Sequence, residues 1–169
     1  EILPENWPVE GTTGYVAARA FARLLTDADG LSAVDEAYRA ATARTKSAED
    51  VLWEARIQIM THDLAAELWA LHGMVGALAA DDPEGAEFGP ETLREAVIAY
   101  VAAFPRYRTY MTADRIDPSD ARIVARTAEL AASRLTAPGA VPFLGRLLLR
   151  SDAATAPLRL RMQQVTGAA

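Results

Sequence analysis

The chain has 169 residues and a formal net charge of −6, with 51% hydrophobic residues, 24% charged residues and no Cys. That length suits one domain with a real core, and the apolar fraction excludes wholesale disorder. Lack of Cys excludes a disulfide scaffold, an iron–sulfur site and a thiolate zinc site, and the acidic balance argues against a nucleic-acid binder.

Ala is the commonest residue, and aromatic residues make up only 7%. That mix favours helix over strand. Residues 1–14, EILPENWPVEGTTG, carry Pro and Gly without a helical period and read as an extended arm. A helix is expected from Tyr15 to about Leu25, with Val16, Ala20, Phe21 and Leu24 as its apolar face. Asp27 to Gly30 reads as a turn, and Ser32 as the cap of a second helix ending near Arg44.

Ser47 opens the strongest helical signal in the chain. Trp53, Ile57, Met60, Leu64, Leu68, Leu71, Val75 and Leu78 follow one another at steps of three or four, all on one face. One long helix over about 48–80 is expected, on the order of 48 Å at 1.5 Å per residue. Gly73 and Gly76 are places for a bend or for a close neighbouring helix. Pro90 begins the next helix, and Pro105 closes it after Phe104.

Residues 105–116 read as an extended segment, either a short strand or a loop. Asp117-Pro118 starts a helix that runs to about Leu135, and two more follow, Val141 to Arg150 and about Ala156 to Val165. The expected fold is all-α: an irregular helical bundle around the long helix, forming one domain over residues 1–169. No apolar run reaches the ~18–20 residues of a membrane span.

No catalytic or metal-binding constellation stands out. His62 has Gln58 four residues before it and Ala66 four after, so no pair of helical metal ligands forms. No Gly-x-Ser-x-Gly elbow occurs. Gly11-Thr12-Thr13-Gly14 precedes a helix and is a candidate anion or sugar cradle, but equally a plain tight turn. Trp7 sits between Asn6 and Pro8 in the arm, suited either to stacking on a sugar ring or partner or to anchoring the arm. Arg106, Tyr107, Arg108 and Tyr110 alternate cation and ring, either a polar-ligand surface or rings that cover the end of the bundle.

Three stretches together are more specific. LPENWPVEGTTGY (3–15), FPRYRTY (104–110) and RMQQVTG (161–167) resemble successive motifs of the maltooligosyltrehalose synthase family of the α-amylase clan. In order and rough spacing the resemblance spans essentially the whole chain. It departs at Val16, where the family usually has Asp. The family converts the reducing-end α-1,4 linkage of a maltooligosaccharide into an α,α-1,1 linkage, in the cytoplasm and without a cofactor.

The resemblance implies a helical insertion of a (β/α)8-barrel enzyme, with the rest of the barrel as its partner and maltooligosaccharide as substrate. The start at Glu1 and the ending after Gln163-Gln164-Val165-Thr166-Gly167 then read as edges of a longer protein. The catalytic carboxylates are expected outside this sequence, so no catalytic residue is assigned. Trp7, Thr12, Thr13, Tyr15, Tyr107, Arg108 and Tyr110 are the candidate substrate-facing residues. The competing reading is a stand-alone all-α ligand-binding or regulatory domain, with no nucleic-acid and no membrane partner.

Overall fold

The computed structural model describes residues 7–10 and 14–169, and these form eight α-helices and no strand. The protein is an all-α helical bundle. It divides into two compact units, residues 1–46 and 47–169.

The first unit carries α1 (Tyr15–Leu25) and α2 (Leu31–Thr42). Residues 7–10 of the expected arm are neither helix nor strand; the rest of the arm up to Thr13 lies outside the described residues. α1 has the bounds that the sequence predicts. Gly14 enters it with φ 79°, a left-handed conformation that glycine adopts at little cost. α2 starts two residues earlier than expected: Gly30 is its cap, and Ser32 lies within the helix. Its last carbonyls are closed by Ala43, at φ 54°, whose N–H donates to the Arg39 carbonyl at 2.8 Å. Neither helix has a buried residue, and Leu24 is 80% exposed.

The second unit holds the core. α3 (Ala48–Thr61) begins where Ser47 predicts: the Ser47 hydroxyl accepts the Asp50 N–H at 3.1 Å. The expected long helix is two helices, α3 and α4 (Ala65–Ala80), parted at residues 62–64. The Leu64 N–H reaches the Ile59 carbonyl, five residues back, at 2.8 Å. Thr61 donates its hydroxyl to the Ile57 carbonyl at 2.8 Å, a competing bond that bends helices. The apolar stripe survives the break, with Met60, Leu68, Leu71 and Val75 all buried. The two glycines do not produce the break: Gly73 and Gly76 lie within α4, and a Cβ on either would meet nothing within 4 Å. Among the described residues no close neighbouring helix packs on them.

A 3-10 turn at Gly85–Glu87 leads into α5 (Pro90–Ala103). Glycine is required at 85, since a Cβ there would lie 2.6 Å from both Ala79 Cα and the Phe143 ring. Every residue of α5 from Ala96 to Ala103 is buried. It packs against α3, α4, α6 (Pro118–Ser133) and α7 (Ala140–Leu149), which makes it the central helix of this unit. Its Ala side chains permit that close approach on several sides.

Arg56 of α3 donates to the carbonyls of Ala102 (3.2 Å) and Phe104 (2.5 Å), which α5 leaves unpaired at its end. Burial lowers the Arg56 pKa. Asp117 caps α6 by accepting the Ser119 N–H at 2.8 Å, and α8 (Ala156–Thr166) completes the bundle.

Candidate functional site

Between α5 and α6 the chain runs without helix or strand from Phe104 to Asp117, over the segment expected to be extended. Pro105 starts it by disfavouring helical geometry at Phe104. A stretch of this kind has no ladder of its own, so its backbone groups need partners from elsewhere. Side chains of α8 and α6 supply them.

Gln163 of α8 makes two bonds to one residue. Its Oε1 accepts the Met111 N–H at 2.7 Å, and its Nε2 donates to the Met111 carbonyl at 2.9 Å. One turn earlier stands Arg159, 0% exposed. It donates through Nε to the Thr112 carbonyl at 3.1 Å and through Nη2 to the Ala113 carbonyl at 2.5 Å. Its Nη1 reaches the carbonyls of Arg150 (2.6 Å) and Leu148 (3.5 Å). A buried charge costs little only when its hydrogen-bonding capacity is met, and here four carbonyls accept from the guanidinium.

Asp120 of α6 accepts the Tyr110 N–H at 3.1 Å. Burial raises the pKa of its carboxyl; that bond opposes the shift.

This scaffold presents three of the candidate residues. Tyr107 is 61% exposed. The Arg108 guanidinium lies 5.1 Å from the centre of the Tyr110 ring. Gly167 follows α8, and a Cβ there would sit 3.3 Å from the Tyr107 ring. The FPRYRTY and RMQQVTG stretches therefore meet where Tyr107 lies against Gly167, and Met111, the residue just after the first stretch, is bonded to Gln163 of the second. An aromatic face beside a planar cation suits a sugar ring with its hydroxyls, or a carboxylate.

Trp7 (41% exposed) and Tyr15 (70% exposed) belong to residues 1–46. Thr12 and Thr13 lie outside the described residues. Trp69, off the apolar stripe, is 79% exposed.

Sequence reasoning missed Arg159 and Gln163. The available signal was their spacing: Arg159, Gln163 and Thr166 recur at helical steps beside Leu158, Met162 and Val165, and all six are buried. Polar residues on the buried face of a helix need partners, and here Gln163 and Arg159 find theirs largely on the segment's backbone, Arg159 also on the Leu148 and Arg150 carbonyls.

Among the described residues no group of three His, Asp or Glu is placed to hold a metal ion. His62 Nδ1 lies 3.0 Å from the Gln58 carbonyl, and His72 Nε2 lies 2.9 Å from the Pro90 carbonyl. No helix among them is long and apolar enough to cross a membrane. Comparison with family models, curated proteins and solved structures gives no match to this chain.

Proposed function

We propose that this chain is the helical insertion of a maltooligosyltrehalose synthase-type enzyme, working over the mouth of a (β/α)8 barrel in the cytoplasm. The observation that carries the reading is the junction of two motif stretches. Tyr107 rests against Gly167, and Gln163 holds Met111, although 52 residues separate that bonded pair in sequence. Two segments that resemble the same family thus meet at one surface, with the Tyr107 ring exposed and Arg108 and Tyr110 half-buried beside it.

The reaction is an intramolecular transglycosylation. An α-1,4 bond breaks at the reducing end, and the released glucose re-attacks through its anomeric hydroxyl to form the α,α-1,1 bond. Paired carboxylates about 5–5.5 Å apart perform such chemistry with retention, and the barrel supplies them. Between the two steps the free glucose has to stay bound and water has to stay out. Tyr107, Arg108 and Tyr110 take that holding role in the proposal. Trp7, Thr12, Thr13 and Tyr15 enter it through the resemblance alone.

The test is product partitioning in the full-length enzyme. Tyr107→Ala and Arg108→Ala should raise the fraction of free glucose relative to the trehalose-ended product. Unchanged ratios with unchanged stability would refute the reading. The isolated chain should bind maltooligosaccharides weakly or not at all.

A further inference from the structure

Tyr100 sits on the central helix α5 with its ring fully buried, and its hydroxyl has no hydrogen-bond partner among the described residues. It lines a cavity of about 10 Å³ together with Thr109, Arg159, Gln163 and Thr166, the remaining wall being apolar. A buried hydroxyl in a native protein almost always has a partner, either protein or an ordered water. A space of this size takes a single water, provided that about two to four polar groups converge on it.

The wall has that capacity. Arg159 makes four bonds to carbonyls, and a guanidinium carries five N–H groups. The Gln163 amide makes two bonds to Met111 and keeps one N–H and one lone pair. The Thr166 hydroxyl donates to the Gln163 carbonyl at 3.2 Å and keeps its lone pairs.

We infer that this cavity is the binding site of one internal water, held by the Tyr100 hydroxyl and by up to three of the polar groups that Thr109, Thr166, Gln163 and Arg159 bring to the wall. The phenol donates to the water oxygen. The water passes its own hydrogens to acceptors on the 104–117 segment and on α8. It joins the central helix to the scaffold under Tyr107 and Arg108, and it makes Tyr100 a positioning residue for that scaffold. A phosphate or a sugar is too large for the site. The inference stands apart from the carbohydrate reading, since it uses only the cavity and the groups that line it.

A high-resolution crystal structure of the unaltered chain should show one density peak at roughly 2.6–3.0 Å from Tyr100 Oη. In Tyr100→Phe that peak should be lost, and Tm should fall by about 2–4 °C. A dry cavity in the unaltered chain would overturn the inference. So would a Tyr100 hydroxyl bonded to a protein carbonyl, or a peak unchanged in the Phe variant. A rise in Tm in that variant would also overturn it, because removing an unpaired hydroxyl from a dry cavity stabilises. If the variant does not fold, the structure of the unaltered chain decides alone.

Discussion

Residues 14–46 and residues 47–169 are both helical, yet they use their apolar residues in opposite ways. α1 aligns Val16, Phe21 and Leu24 along one face and buries none of them. α5 buries an unbroken run from Ala96 to Ala103. Periodicity thus specifies which face of a helix is apolar. It does not specify that something covers that face. The buried core of the described residues lies in the second unit, where α5 is packed on several sides.

The sharpest way to break this contrast is hydrogen exchange. Amides of α5 should exchange only on global unfolding, whereas those of α1 and α2 should exchange orders of magnitude faster. Equal protection would refute the contrast. Next in size is Arg159→Ala, which leaves four carbonyls without their donor and opens a cavity. A loss of about 3–5 kcal/mol is expected from urea denaturation.

Gly85→Ala forces a methyl against the Ala79 backbone and the Phe143 ring. It should cost about 2–3 kcal/mol by the same measurement, and a neutral result would show that the 3-10 turn can move aside.

A smaller effect concerns pH. The folded pKa of Asp120 is raised, so the folded state binds more protons than the unfolded state between the ordinary carboxylate pKa and the raised one. Its contribution to stability is fully present below the ordinary value and is lost as pH rises through the folded value. Asp120→Asn keeps an acceptor for the Tyr110 N–H and should flatten that slope. Urea midpoints measured from roughly pH 4 upward would show it. The smallest effect is expected at Phe21→Ser, within about 0.5 kcal/mol for an exposed position. A large loss there would mean that the α1 face is covered in the folded protein.

Much of the fold was legible in the sequence. Pro90, Pro105 and Asp117-Pro118 mark helix ends by local geometry, and the structure places ends there. The break at residues 62–64 was not legible, because the apolar stripe from Trp53 to Leu78 runs through it without a change of phase. Only the weak helix formers Thr61, His62 and Asp63 hinted at it.

The candidate site was legible as chemistry at Tyr107, Arg108 and Tyr110, but not as a structure. What holds it are side-chain bonds to backbone atoms 46 to 52 residues away. No local pattern encodes such pairs. Burial alone selected which polar residues of α8 would make them.

The buried guanidinium of Arg159 sets the salt response of this region. The ion pairs Arg134–Asp50 and Arg146–Glu84 have exposed partners, so dissolved ions screen them and their contribution fades as ionic strength rises. Arg159 is itself fully buried and binds neutral carbonyls, so dissolved ions screen its bonds far less. The 111–113 stretch therefore keeps its place in brine as in dilute buffer, while the exposed pairs loosen around it.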